Sequence, residues 1–185
     1  MSDVASFFLW ITLSAEGLLA ASLLLSIVWP ERRVWPPPGK QIWQFWSIWG
    51  LFIVAVLGFA VLALLDWNSF IFPNWLRYFV GLPMLVGGLV LAFWGSAVLG
   101  WQRTSGQAGE LKTDGLYRYS RNPQYVGDVI NFIGLVLFSN ASHVLIPGLL
   151  AALLFALWPL SEEPWLLERF GEAYARYCER VPRFL

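Results

Sequence analysis

The sequence predicts an all-α integral membrane protein of about five transmembrane helices, with its N-terminus outside and a C-terminal amphipathic helix on the cytoplasmic side. Three observations carry that reading. The 185 residues are 58% hydrophobic and only 13% charged, where soluble domains are about a quarter charged. Apolar runs long enough to cross a bilayer recur along the chain. Lys and Arg gather in the segments between those runs on one side, although the net charge is zero.

A crossing helix needs about 20 apolar residues. Residues 5–29 and 43–65 supply the first two spans, and residues 75–99 the third. The first run has an early acid and neither a basic leading segment nor a small-residue cleavage site, so it reads as a retained span rather than a signal peptide. Residues 126–138 are short, and 144–160 just qualify. Ser139-Asn140-Ala141-Ser142 makes a tight turn between them, so the two read as a helical hairpin whose first arm extends back around Tyr125.

Positive charge near span ends marks the cytoplasmic side. Arg32, Arg33 and Lys40 occupy the first loop; Arg103, Lys112, Arg118 and Arg121 the third; Arg169, Arg176, Arg180 and Arg183 the tail. Arg77 lies on the other side. Five spans put every basic cluster inside, whereas four would split them. Trp29, Trp35, Trp43, Trp46, Trp67 and Trp75 fall near span ends, where indoles anchor at headgroup depth; this aromatic wealth is not a nucleic-acid platform. Pro36-Pro37-Pro38-Gly39 forms a stiff extended turn that separates a first hairpin from the rest; as domains the chain divides into an N-terminal transmembrane hairpin, residues 1–66, and a core, residues 67–185. Residues 162–179 alternate apolar and charged positions at helical spacing, as an amphipathic surface helix does.

The lone Cys178 excludes an internal disulfide framework and reads as a surface thiol; with His143 the single imidazole, a multi-histidine metal site is excluded too. Chemistry is expected in the third loop, about residues 100–124, which is long for a helix connection. Pro123 suits the first turn of the fourth span, and the amides behind it form a partial-positive helix end that Arg121 reinforces. Asp128, Asn131 and Glu16 lie inside apolar runs, where a polar group needs a partner or a wet cavity. Asp128 can pair with Arg121 or Arg118, or act on a substrate. Glu16 can be protonated or paired between helices. Gly87, Gly88 and Gly95 permit close helix packing. Glu162 and Glu163 either bias a helix N-terminus or hold an amine or ribose hydroxyls of a cofactor.

Taken together, Gly115-Leu116-Tyr117, Arg121-Asn122-Pro123-Gln124-Tyr125-Val126-Gly127, Glu162-Glu163, Phe170-Gly171-Glu172-Ala173-Tyr174 and Val181-Pro182-Arg183 resemble the motifs of the isoprenylcysteine carboxyl methyltransferases and the related phospholipid methyltransferases. The resemblance covers the C-terminal half. It implies methyl transfer from S-adenosyl-L-methionine, bound on the cytoplasmic side, to a lipophilic acceptor reached from the bilayer. Cofactor contacts would then fall on Gln102, on Gly109, Glu110, Leu111 and Lys112, on Tyr117, on Asn122, Pro123, Gln124 and Tyr125, and on Glu162, with Arg121 organising the loop. Asp128, Glu162 or Glu163 could assist as base.

Two departures stand out. Asn122 replaces the motif histidine, and Trp158 stands where the prenylcysteine enzymes carry a basic residue before the Glu pair. The expected acceptor is therefore an amine, thiol or other lipid-borne nucleophile rather than a prenylcysteine carboxylate. A membrane reductase of the sterol-reductase type, using NADPH, is the rival reading, because residues 121–128 also resemble the nicotinamide-binding end of those proteins. A non-enzymatic membrane adaptor is the third. The charge asymmetry suits a prokaryotic inner membrane, with membrane lipids as neighbours and no metal or nucleic acid as partner.

Overall fold

A computed structural model describes residues 2–39, 42–107 and 109–185. Lys40, counted with the first loop's positive charge, lies outside the described residues. Among the described residues eight α-helices follow in order: α1 Ser2–Val28, α2 Trp43–Leu65, α3 Leu82–Leu99, α4 Trp101–Thr104, α5 Pro123–Ser139, α6 Ser142–Leu157, α7 Pro159–Phe170 and α8 Glu172–Arg180. A π-helical turn, Leu76–Gly81, leads straight into α3. No strand occurs among the described residues.

Among the described residues four helical stretches are long and apolar enough to cross a membrane: Asp3–Val28, Trp43–Leu65, Leu76–Leu99 and Ser142–Phe170. Four of the five expected spans therefore meet the length requirement. The other, α5, has 17 residues, a rise of about 25 Å. It nevertheless runs antiparallel along α3, with Gln124 beside Gly95 at one end and Phe138 beside Gly81 at the other. Outward-facing side chains such as Trp10, Leu64, Phe79 and Phe93 are large, apolar and exposed. In water such a surface would be an aggregation patch; facing lipid it costs nothing.

Small residues let α3 and α5 approach to backbone contact. A methyl group on Gly88 would strike the Asn131 amide, one on Gly127 the Ala92 amide, and one on Gly134 the Leu85 amide. Gly95 plays the same part against Gln124, but Gly87 faces open space and takes no part in packing. Asn131 adds a hydrogen bond across this seam, donating from Nδ2 to the Leu85 carbonyl at 2.8 Å. On the other side, Ala15 of α1, Ala55 and Phe59 of α2, Phe132 of α5 and Val144 of α6 share one apolar core.

The first loop folds back over the end of the bundle. Ser26 Oγ accepts hydrogen bonds from the amides of Val34 and Trp35, 3.0 and 3.1 Å, turning the chain back over the end of α1. Trp35 and Pro37 then press against Gly106 of the third loop. The tail departs from expectation. Rather than one helix over residues 162–179, α6 runs on into α7 through a helical Trp158, and Gly171 at φ +52° breaks α7 from α8. Glycine takes that left-handed geometry without strain.

Candidate active site

Pro123 opens α5 as expected, with Asn122 at the cap position. The segment just before it is tied to the chain's last residues. Arg121 donates its amide to the Pro182 carbonyl at 2.9 Å, and Asn122 donates from Nδ2 to the Arg183 carbonyl at 3.1 Å. Arg183 grips Glu163 with two hydrogen bonds, 2.8 and 2.7 Å, while Arg121 Nη1 lies 3.2 Å from the same carboxylate. The Val-Pro-Arg ending is thus a clasp, and Glu163 is its counter-ion. Cys178 is no free surface thiol, since its Sγ is half-buried and accepts from Arg121 Nη1 at 2.8 Å.

Glu162, one residue earlier, turns elsewhere. Its Oε1 accepts from the Tyr125 hydroxyl at 2.5 Å and from Trp35 Nε1 at 2.7 Å. No hydrogen bond among the described residues reaches Oε2. Because α6 continues helically into α7, Glu162 does not sit at a free helix N-terminus; its partners, not a dipole, hold it.

Arg103 stands close enough to Glu162 for the two charges to act on each other. Burial lowers the affinity of its guanidinium for the proton, and the negative charge of Glu162 works the other way. Its stem fills the space beside Gly109, its Nη1 donates to the Glu110 carbonyl at 2.5 Å, and its charge lies 5.6 Å from the Phe170 ring centre. Tyr117 is buried, donating to the Gly95 carbonyl at 3.3 Å and accepting at its own carbonyl from the Tyr177 hydroxyl at 2.5 Å. Burial pushes the Tyr117 phenol well above its ordinary range and the Tyr177 phenol up to about 12. Both stay protonated at neutral pH and serve as donors.

The expected site residues therefore separate into groups. Glu162 and Tyr125 meet directly, with Arg103 beside them; Arg121, Asn122 and Glu163 form the clasp; Pro123 is buried at the helix start and Gln124 packs on Gly95. Leu111 packs onto Leu166, Tyr174, Tyr177 and Val181. Gln102 and Glu110 are exposed, and Lys112 pairs loosely with Glu110 at 3.8 Å. Asp128 forms neither expected ion pair: Arg121 goes to Glu163, and Arg118 stacks on Tyr119 at 4.9 Å. Gln107 Nε2 and Arg121 Nε are buried without a hydrogen-bond partner among the described residues.

Trp35 and Arg103 were not legible as site residues. Trp35 looks like one more interfacial indole, yet it is 5% exposed, unlike Trp29, Trp43, Trp46, Trp67 and Trp75. Arg103 looks like one more positive loop charge. A separate crevice of about 270 Å³ between the first loop and α7, lined by Glu31, Arg33, Trp165 and Glu168 among others, includes none of the Glu162 partners.

The fold and this cluster define a helical membrane protein with a carboxylate held by aromatic donors at one end of its bundle. The sequence profile of the phospholipid methyltransferase family matches residues 76–173, just over half of the chain, and the chain belongs to that family. It is similar to the protein-S-isoprenylcysteine O-methyltransferase of Schizosaccharomyces pombe, 37% identical over 73 residues, 39% of this chain and 31% of that one. It is also similar to the steroid 5-alpha-reductase DET2 of Solanum lycopersicum, 26% identical over 111 residues, 60% of this chain and 43% of the relative. The matches thus span less than half the length of either relative. No solved structure gives a significant match.

Proposed function

We propose that this protein transfers a methyl group from S-adenosyl-L-methionine to a lipophilic acceptor that enters from the bilayer. Family membership supports the reaction class. The observation that carries the site is Glu162, a carboxylate anchored through one oxygen by Tyr125 and Trp35 while the other has no hydrogen-bond partner among the described residues. The chemistry of the donor set fits the cofactor. Glu162 Oε2 can accept from ribose hydroxyls or an ammonium, Arg103 can pair with a carboxylate, and the unpartnered Gln107 Nε2 offers a neutral donor.

Bound there, the cofactor would supply an electrophilic methyl group on a sulfonium, so the protein's task is alignment rather than nucleophilic attack. Tyr125 and Trp35 fix the Glu162 carboxylate, and the Arg121–Glu163–Arg183 clasp holds the loop that precedes α5. Glu163, with both oxygens engaged, acts by positioning. Asp128, which has no hydrogen bond among the described residues, is the group free to take a proton if the acceptor arrives protonated. Trp158 offers no charge to an acceptor carboxylate, which favours another nucleophile.

In this reading α5 is a fifth crossing beside α3 and the cofactor site faces the cytoplasm at a prokaryotic inner membrane, an orientation that the positive charge of the loops supports. We keep the residue 66 boundary as the division between an N-terminal hairpin and the methyltransferase core. The reductase reading keeps one specific support, the likeness to the steroid 5-alpha-reductase. Calorimetric titration of the purified protein with S-adenosylhomocysteine and, separately, NADPH decides between them. Saturable binding of the first, weakened in Glu162→Gln, is the expected result; binding of NADPH alone would overturn the proposal.

A further inference from the structure

The chain before residue 76 lies outside the segment that matches the family, yet one of its side chains touches two parts of the candidate site at once. Trp35 Nε1 donates to Glu162 Oε1 of α7 at 2.7 Å. The six-membered half of the same indole lies on the third loop, where a methyl group on Gly106 would come within 2.8 Å of Trp35 Cη2, 3.0 Å of Cζ2 and 2.8 Å of Pro37 Cδ. Gly106 also has φ +74°, a geometry that glycine adopts freely. The position is thus closed to larger residues both by its backbone and by the ring that rests on it.

Gly106 is the corner of a tight turn. Its amide donates to the Arg103 carbonyl at 2.9 Å, and the Gln107 amide donates to the Gln102 carbonyl at 2.8 Å. Arg103 and Gln107, two of the groups offered to the cofactor, therefore ride on the turn that Trp35 presses. The indole is itself held from behind. Ser26 Oγ at the end of α1 accepts from the Val34 and Trp35 amides, and the Trp158 ring meets the indole edge-on at 5.9 Å. A planar ring packed in this way passes a displacement on rather than absorbing it.

We propose that Trp35 is a positioning residue, a spacer that fixes Glu162 of α7 relative to the Arg103–Gln107 turn, with Gly106 as its seat. Ligand groups held at a set separation bind without the cost of ordering them first. The N-terminal hairpin then supplies a working part of the site, since the first loop joins α1 to α2. Calling the spaced groups cofactor contacts rests on the proposed function; the seating of Trp35 on Gly106 does not.

The test is a double-mutant cycle on the full chain in lipid nanodiscs, read by calorimetric titration with S-adenosylhomocysteine and by hydrogen exchange at the Val34 and Trp35 amides. Trp35→Phe removes the indole donor and shortens the spacer; Gly106→Ala pushes the seat away from the ring. Each should weaken binding about tenfold, the worth of roughly one hydrogen bond to a charged group. Together they should cost about tenfold rather than the hundredfold of independent sites, because both act through one contact. Affinity within twofold of the parent in Trp35→Phe would overturn the proposal, and so would a hundredfold loss in the double variant, the product that two unrelated lesions give. Trp35→Phe alone keeps the test decisive if Gly106→Ala does not fold. Hydrogen exchange needs no cofactor: Gly106→Ala should speed exchange at Val34 and Trp35 about tenfold, and unchanged exchange would overturn the seat. Faster exchange in that variant, with no binding of S-adenosylhomocysteine by the parent, sinks the methyltransferase reading alone.

Discussion

The two ends of the helical bundle are built from similar residues and do different work. Where α2 meets α6, most polar groups close on one another, the Ser139 hydroxyl alone among the buried ones having no partner among the described residues. Asn140, at φ +51°, donates to Asn68 and to the carbonyls of Phe70 and Phe72, and accepts from the Phe72 amide. Arg77, buried, donates to the Phe138 carbonyl and to Asn68 and lies against the Trp67 and Tyr78 rings. Asp66 accepts from the His143 amide and ring and from the Ser142 hydroxyl, each at 2.8 Å. At the other end, among the described residues, Glu162 Oε2 has no hydrogen-bond partner, and Arg121 and Gln107 each keep an unpartnered nitrogen. A network that is closed on itself stabilises; one with open valences is available to a ligand.

The largest effect expected from that contrast is on stability at the closed end. Asn140→Ala removes four hydrogen bonds and places alanine in a left-handed conformation, so unfolding in mixed micelles should show a loss of about 2–4 kcal/mol. The folded fraction should bind S-adenosylhomocysteine as the parent does. A large change in affinity instead would break the comparison.

Glu162→Gln is the mirror experiment. The amide oxygen can still accept from Tyr125 and Trp35, so the thermal midpoint should stay close to that of the parent, while loss of the charge should weaken cofactor binding by about 10- to 100-fold. Tyr125→Phe keeps the ring against Phe155 and removes the hydroxyl alone. Calorimetry should then show a smaller loss, about 2- to 10-fold.

The smallest effect is the acid limb of stability. Burial pushes the Asp66 carboxyl upward, but hydrogen bonds from His143, Ser142 and Ser69 more than offset it and pull its pKa down to about 2. The unfolded chain, with an ordinary aspartate near 4, binds the proton more readily than the folded one. Asp66 therefore contributes stability above about pH 4 that fades as the pH falls toward 2. Asp66→Asn should flatten stability over that window in a pH series of thermal melts and leave cofactor affinity at neutral pH unchanged.

Much of this architecture is legible in the residues themselves. Four of the expected spans follow from apolar length, the start of α5 from Pro123, the turn before α6 from Ser139-Asn140-Ala141-Ser142, and the family from short ordered motifs. Other features mislead. The acid–base alternation of the tail reads as one helix, because a single glycine does not announce that it will take a left-handed φ. Trp35 sits among proline residues and passes for a membrane anchor, since nothing nearby in sequence says that Glu162 lies beside its ring.

By itself, the sequence determined that the solvent is apolar, where the long helices run, which family the chain joins and which loop carries the motifs, all of which depend on local composition and spacing. The tertiary structure decided the roles of two neighbouring glutamates. Consecutive residues on a helix point about 100° apart, so the rotation of α7 set by its packing sends Glu163 to Arg121 and Arg183 and Glu162 to Tyr125 and Trp35. The same long-range packing places Glu16 of α1 and Trp158 on one cavity. No local pattern links residues so far apart in the chain; only the close approach of helices, permitted by small side chains, brings them together.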